Sequence, residues 1–138
     1  MEKHLDHIGV AVRNIEESIH FYENVLGATM IDHYRSEATG VESEIAIMDV
    51  NGFRTELLMP TNNTTSPIAR FIKQKGKGVH HVAYQVDDLD EAIKELEEKG
   101  IRILEGSLRT NKHGRRLIYV NPADTEGTIV EYCDYPSQ

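Results

Sequence analysis

Two histidines stand at the same point of a phrase that the chain contains twice. The first copy runs from Leu5 to Val12 and includes His7, and the second runs from Val79 to Val86 and includes His81. Superposing the phrases puts His7 on His81, 74 residues apart. Imidazole is a common metal ligand. A histidine repeated in an alternating apolar segment therefore predicts two structural copies, each contributing one ligand to a shared metal site.

Two glutamates repeat in a similar way. Glu56 lies in the segment from Thr55 to Pro60 and Glu131 in the segment from Thr128 to Tyr132, and each segment is otherwise mostly apolar. A carboxylate in a half-buried strand is costly unless it has a cation, a hydrogen-bond partner or solvent. The four residues together predict a divalent metal bound by two nitrogens and two oxygens, from the first and last strands of two half-sites.

Each of these residues also has an ordinary interpretation. A single histidine or glutamate on a strand is more often a core or surface residue than a ligand, and only the coincidence of four positions under one duplication favours the metal. Strand alternation sends His80 to the face opposite His81, so the repeat selects His81. The remaining histidines have no partner at the repeat spacing and are expected at the surface: His4, His20, His33 and His113.

The repeat continues into the elements that must position these residues. Asn14 and Asp88 are predicted helix N-caps, each followed by apolar residues at helical spacing, and Gly27 and Gly100 are predicted to end the two helices. Each half then has strand-like runs: Met30 to Arg35, Glu44 to Val50 and Arg54 to Met59 in the first, and Arg102 to Glu105, Arg116 to Val120 and Thr128 to Tyr132 in the second. The predicted unit is βαβββ, used twice.

A short connector joins the two predicted modules. It contains a polar stretch and then a helix over 68–75, for which Ser66 is the N-cap and Pro67 the first helical residue. We therefore predict a single α+β domain over residues 1–138. Module one covers about 1–60, the linker and helix about 61–77, and module two about 78–138.

Composition narrows the class of partner. The net charge is −8 and the basic residues are scattered, whereas nucleic-acid binding needs a basic stripe. The apolar runs are far shorter than the ~20 residues of a membrane-spanning helix, so we expect a cytoplasmic protein that binds a small molecule and neither nucleic acid nor membrane. Cys133 is the single cysteine, which excludes an internal disulfide, and it is expected to be a packed thiol.

The chain resembles the vicinal oxygen chelate superfamily, the group of glyoxalases, bleomycin resistance proteins and dioxygenases. Within that group it is most similar to the methylmalonyl-CoA epimerases. The resemblance covers essentially the whole chain and is carried by the two histidine phrases, the segments 55–60 and 66–71, and the segment 127–131. It implies paired βαβββ modules that form a cupped mixed β-sheet around a central metal site.

The resemblance also implies roles for individual residues. His7, Glu56, His81 and Glu131 would bind a divalent metal, with Co²⁺ favoured and Mn²⁺, Zn²⁺ or Ni²⁺ as alternatives. Glu131 would also be a catalytic base. The second base would lie on the strand that carries Glu42 and Glu44, and of these Glu44 is preferred because it sits deeper in the strand.

The implied activity is interconversion of the stereoisomers of methylmalonyl-CoA, or of a related 2-substituted malonyl thioester, through an enolate. The implied partner is an acyl-CoA thioester, and a homodimer is expected. The chain departs from the family at Asn121-Pro122-Ala123, where epimerases commonly read His-Pro-Lys, although Lys112, His113, Arg115 and Arg116 supply charge nearby. The alternatives are a glyoxalase I-type lactoylglutathione lyase, a fosfomycin-type resistance enzyme and a metal-free drug-binding protein.

Overall fold

The computed structural model describes residues 1–38 and 41–136 and contains two βαβββ modules joined by a helix. The first module comprises β1 (His4–Ala11), α1 (Ile15–Asn24), β2 (Thr29–Ser36), β3 (Ser43–Val50) and β4 (Phe53–Pro60). The connecting helix is α2 (Pro67–Lys75). The second module comprises β5 (Gly78–Gln85), α3 (Leu89–Glu98), β6 (Arg109–Thr110), β7 (Arg116–Tyr119) and β8 (Val130–Asp134). The predicted α+β class and the doubled module are confirmed.

The chain divides into two compact units. One unit is His7–His80, and the other comprises Met1–Asp6 together with the chain from His81 onward. The division lies close to the predicted boundary between the modules, except that the first residues of β1 belong to the second unit. The prediction of one domain over the whole chain stays a prediction.

In the His7–His80 unit, a four-stranded sheet separates two apolar clusters. β2, β3 and β4 pair antiparallel, and β1 pairs with β4 in parallel. Side chains alternate across a strand, so successive residues of β3 serve different cores. Ala46 and Met48 pack with Ile15 and Ile19 of α1, which we call the α1 face. The opposite face, called the α2 face, contains Ile45, Ile47, Leu58, Ile68 and Ile72.

The helices begin where the sequence predicted. The Asn14 side chain accepts a hydrogen bond from the backbone N–H of Glu17 at 3.1 Å. Ser66 Oγ accepts from Ile68 at 3.2 Å, and Pro67 follows it as the first helical residue. Asp88 caps α3 in the same way. A polar side chain satisfies backbone donors that have no partner within the helix, which fixes each start.

In the second unit, β5 pairs with β8 in parallel, and β8, β7 and β6 pair antiparallel. The core comprises Val86, Leu89, Ala92, Leu96, Ile118 and Val120. Buried Asp134, at the end of β8, accepts a hydrogen bond from the backbone N–H of Leu89 at 2.8 Å. It also binds Arg116 through two hydrogen bonds of 2.9 and 2.6 Å. This carboxylate ties β7 and β8 to the start of α3.

One predicted strand is wrong. The run from Arg102 to Glu105 forms only an isolated bridge, between Ile103 and Val120. The backbone N–H of Arg102 donates to the Asp124 carboxylate at 2.8 Å, and Gly106 turns the chain with a φ of 78°. A side chain therefore takes a hydrogen bond that a strand ladder would need, and a short strand follows only at β6.

The last strand begins two residues later than predicted, because Thr128 belongs to a turn in which its carbonyl accepts from the Thr125 hydroxyl. The sulfur of buried Cys133 lies 3.7 Å from the carbonyl oxygen of Tyr84. Among the described residues, none of the helices has the length and apolar character needed to cross a membrane.

Candidate metal centre

The first histidine–glutamate pair lies inside the His7–His80 unit. His7 on β1 is 1% exposed and Glu56 on β4 is 6% exposed. Gly9, two residues after His7, stands opposite Glu56 in the parallel register, so the histidine and glutamate project from one face of the sheet. Nε2 of His7 is 3.6 Å from Oε2 of Glu56.

The second pair lies inside the other unit and repeats this arrangement. His81 on β5 is 3% exposed and Glu131 on β8 is 1% exposed. Ala83, two residues after His81, stands opposite Glu131 in a parallel register. Nε2 of His81 is 3.4 Å from Oε1 of Glu131. The two modules therefore share the repeated residues and also the parallel register between the strand with the histidine and the strand with the glutamate.

In both pairs, the distance between the histidine nitrogen and the glutamate oxygen fits ligation of a shared metal ion. An N–H···O hydrogen bond is normally about 2.7–3.2 Å long, and both Nε2···Oε separations are longer. Two ligand atoms each about 2.1 Å from one cation, at angles of about 90–120°, lie roughly 3.0–3.6 Å apart. The pairs at 3.6 and 3.4 Å agree with that spacing. Two buried carboxylates also need a positive charge nearby.

The second pair has additional charged neighbours that the sequence analysis missed. Arg115 is buried, and its Nε lies 3.5 Å from Oε2 of Glu131. The same guanidinium is 3.9 Å from Asp6, whose carboxylate accepts hydrogen bonds of 2.9 and 3.0 Å from the Tyr135 hydroxyl. Burial, and then the Asp6 charge, raise the pKa of Tyr135, which keeps this hydroxyl a donor. The sequence identifies Arg115 only as one of four residues that supply charge near Asn121-Pro122-Ala123, and its spacing gives no signal of this contact.

His80 occupies a separate environment from the ligand pairs. Its ring packs edge-to-face on Phe71 of α2, with the ring centroids 4.9 Å apart. Burial lowers the pKa of His80 to about 4, so the ring is neutral at pH 7. The other four histidines differ in exposure: His4, His20 and His113 are exposed as expected, while His33 is half-buried.

Glu44 does not share a face with the first pair. In the antiparallel register of β3 and β4, Glu44 stands opposite Met59, whereas Glu56 stands opposite Ile47. Met59 packs against the α1 cluster, and the Glu44 carboxylate lies 3.1 Å from Nε2 of His33. Strand alternation therefore puts Glu44 on the α1 face and Glu56 on the α2 face. The role of Glu44 as the second base stays a prediction.

Glu42 lies beside the linker before α2. Its Oε1 accepts a hydrogen bond from the Thr65 hydroxyl at 3.3 Å. Its Oε2 is buried and has no hydrogen-bond partner within 1–38 and 41–136. A buried carboxylate oxygen without a partner is unusual, and it leaves a place for a hydrogen bond from water or from a ligand.

The family is established by comparison with known proteins. Residues 6–119 match the model of the Glyoxalase/Bleomycin resistance protein/Dioxygenase superfamily. The match spans most of the chain and includes three of the four predicted ligands. The chain therefore belongs to this superfamily, as the resemblance predicted.

Three relatives are similar over nearly the whole chain. The mitochondrial methylmalonyl-CoA epimerase of Bos taurus is 38% identical over 92% of this chain and 71% of that protein. An ethylmalonyl-CoA/methylmalonyl-CoA epimerase of Cereibacter sphaeroides is 33% identical over 92% of this chain and 94% of that protein. The uncharacterized protein YqjC of Bacillus subtilis is 32% identical over 94% of this chain and 91% of that protein.

Solved structures are also similar to this chain. A hypothetical protein, BH1468 from Bacillus halodurans, matches with a TM-score of 0.90 and 30% identity over 100% of this chain and 98% of that chain. Methylmalonyl-CoA epimerase from Mycobacterium tuberculosis matches with a TM-score of 0.86 and 26% identity over 94% of this chain and 86% of that chain. These likenesses confirm the prediction of an epimerase-like isomerase.

Proposed function

We propose that this protein is a metal-dependent epimerase that interconverts the stereoisomers of methylmalonyl-CoA or a related 2-substituted malonyl thioester. The observation that carries the proposal is the doubled histidine–glutamate pair, buried and in the same parallel register in each module. The relatives named as epimerases of methylmalonyl-CoA and ethylmalonyl-CoA support the choice of substrate.

His7, Glu56, His81 and Glu131 would hold one divalent cation. Two imidazoles and two carboxylates suit several first-row ions, among which the resemblance favours Co²⁺. When bound, such a cation supplies Lewis-acid stabilisation of negative charge on a thioester carbonyl oxygen. A malonyl thioester would offer such an ion two oxygens, from its carbonyl and its free carboxylate, beside the four protein ligands.

Glu131 would act as the base that removes the α-proton. The C–H bond breaks, the proton passes to a carboxylate oxygen of Glu131, and the electron pair remains as an enolate. The contact between Arg115 and Oε2 would fix the orientation of this carboxylate. Inversion then requires a proton donor at the opposite face of the planar enolate.

For that second group, the state of hydrogen bonding favours Glu42 over Glu44, whereas strand alternation does not separate two residues that stand two apart. Glu44 is engaged with His33 on the α1 face. Glu42 keeps one buried oxygen without a hydrogen-bond partner among the described residues, and its other oxygen is held by Thr65. A protonated Glu42 would return a proton to the enolate carbon, and the reverse reaction would exchange the roles of the two glutamates.

The proposal also includes a state of assembly and a location in the cell. A homodimer in the cytoplasm is what the resemblance implies for such an enzyme. Light scattering of the purified protein would measure the mass of the assembly. A mass of one chain at micromolar concentration would remove the dimer from the proposal without affecting the chemistry.

The test is proton exchange at the α-carbon. Purified protein stripped with a chelator and reloaded with Co²⁺ would be incubated with methylmalonyl-CoA in heavy water, and deuterium incorporation would be followed by mass spectrometry. We expect exchange and stereoisomer interconversion in the reloaded protein and little in the stripped protein.

The same experiment separates the nearest alternative. A glyoxalase I-type enzyme also moves a proton next to a carbonyl, but its substrate is a glutathione hemithioacetal. Metal binding with no exchange of methylmalonyl-CoA would contradict the epimerase proposal. Turnover of the hemithioacetal instead would identify the lyase.

A further inference from the structure

A groove opens in the His7–His80 unit beyond the ends of β1 and β4, where α2 packs. Its volume is about 530 Å³. Met59, Pro60, Ala69 and Ile72 give it an apolar floor, while exposed Arg13 and Lys73 also line it. We call this the Arg13–Lys73 groove. Its lining combines flat apolar surface with two cations.

The segment that supplies most of the lining of this groove has a charge opposite to that of the protein as a whole. The net charge of the chain is −8, yet residues 57–86 contain no aspartate or glutamate. The same 30 residues contain four basic side chains, all exposed: Arg70, Lys73, Lys75 and Lys77. Of these four, Lys73 lines the groove together with Arg13, and exposed cations of an acidic protein raise the local concentration of anionic ligands.

We infer that the Arg13–Lys73 groove binds the nucleotide end of a coenzyme A thioester. Arg13 and Lys73 would contact phosphate oxygens, since a guanidinium offers paired donors and an ammonium a point charge. The apolar floor would take the adenine ring. This inference rests on the proposed function, because it assigns the binding of the part of the substrate that does not react.

The position of the groove suits an extended substrate. Met59 and Pro60 lie three and four residues after Glu56 on β4, or roughly 10–13 Å along the strand at ~3.3 Å per residue. Arg13 follows β1, the strand that carries His7. The groove is therefore separated from the first ligand pair by a distance that a flexible pantetheine arm can span.

The test compares two thioesters of methylmalonate in the metal-loaded full chain. One is the coenzyme A thioester, and the other is a truncated N-acetylcysteamine thioester that lacks the nucleotide. We expect the double substitution Arg13→Ala, Lys73→Ala to raise KM for the coenzyme A substrate about tenfold, equivalent to ~1.4 kcal/mol, with kcat nearly unchanged. In the double variant, the kinetics of the truncated substrate should not change. The single substitution Arg13→Lys should retain most of the affinity for the coenzyme A substrate.

The matched control is Lys94→Ala, which removes an exposed cation from α3. It should leave both substrates unaffected. An unchanged KM in the double variant, or an equal loss for both substrates, would overturn the inference. The inference would also be overturned if Lys112→Ala raised KM for the coenzyme A substrate while the double variant did not.

A second measurement keeps the inference separate from the proposed function. Adenosine 3′,5′-bisphosphate would be titrated calorimetrically into the wild-type protein and the double variant. If the wild type turned over neither thioester, the proposed function would fail. Binding of the bisphosphate that weakened in the double variant and with added salt would then still support the groove as a nucleotide site. No binding to the wild type would overturn it.

Discussion

The two modules contain the same histidine–glutamate pair but support it differently. In the His7–His80 unit, the pair lies in a sheet whose strands β2, β3 and β4 each have eight residues. In the second module, β6, β7 and β8 have two, four and five residues, and Arg115 lies between the glutamate and Asp6. The first pair thus lies among long strands, whereas the second lies among short strands and beside a charged side chain.

The difference assigns different tasks to two residues that the repeat makes equivalent. Glu56 and Glu131 occupy the same register position, but the contact between Arg115 and the second oxygen of Glu131 orients that carboxylate further. We expect Glu56 to act as a ligand and Glu131 as both ligand and base.

Removing either histidine should abolish the metal site. If the proposed metal site is present, His7→Ala and His81→Ala should each lose stoichiometric metal and lower turnover by at least about 10³-fold, because the cation would stabilise the enolate charge. Metal content measured by mass spectrometry and α-proton exchange would be compared with His20→Ala, which changes an exposed histidine of α1. Full metal occupancy in His81→Ala would contradict the ligand set.

The two glutamates should respond unequally to the same substitution. Glutamine keeps an oxygen ligand but cannot accept the proton, so Glu131→Gln should lower the exchange rate by about 10²–10⁴-fold, the contribution of general base catalysis. Glu56→Gln should lower it by less than about tenfold if a ligand role is its only one. Deuterium exchange at constant metal occupancy would measure both. Equal losses would remove the distinction between the modules.

Arg115 is a positioning residue in this account. Groups that orient a metal ligand commonly contribute about 10–100-fold to activity, so Arg115→Ala should lower kcat by that factor while KM changes less. Arg115→Lys should recover part of the loss, since an ammonium can still contact Glu131. A fall in thermal stability with kcat intact would show that Arg115 serves folding alone.

Asp134 should stabilise the second module in a pH-dependent way. Its carboxyl is buried, which by itself raises its pKa, but hydrogen bonds from Arg116 and the Leu89 N–H lower it overall. A folded-state pKa below the unfolded value contributes stability above about pH 4, and that stability is lost as the pH falls through the folded-state pKa.

Asp134→Asn should therefore cost about 1–3 kcal/mol in the free energy of unfolding at pH 7. The difference in the free energy of unfolding between Asp134→Asn and the wild type should become smaller below about pH 4. Denaturant unfolding at pH 7 and pH 3 would measure it, with Asp90→Asn as a control because Asp90 is an exposed partner of the same arginine. A gap that stayed constant with pH would argue against the ion pair as its source.

Glu44→Gln should have the smallest effect. Its carboxylate is engaged with His33 and takes no part in the proposed proton transfer, so α-proton exchange should stay within about twofold of the wild type. Glu42→Gln is the matched comparison on the same segment and should reduce exchange by at least tenfold. The opposite ranking would restore Glu44 as the second base.

Much of this architecture follows from local patterns. Asn14, Ser66 and Asp88 mark the helix starts because their side chains bind backbone donors within three residues. The duplicated phrase predicts the two modules, and the family comparison confirms them. These features depend on neighbours in sequence, so the sequence is sufficient to find them.

What needed the tertiary structure depends on contacts between distant residues. Periodicity alone assigned a strand to 102–105, but Asp124, 22 residues later, takes the Arg102 hydrogen bond. The face of Glu44 follows from the pairing of β3 with β4, and the contact of Arg115 with Glu131 joins the residue before β7 to β8. By itself, the sequence determined the repeat, the module and the candidate ligands. Only the folded chain decided which carboxylates share a face and which gain a cation, because strand register and ion pairing are set across the sheet.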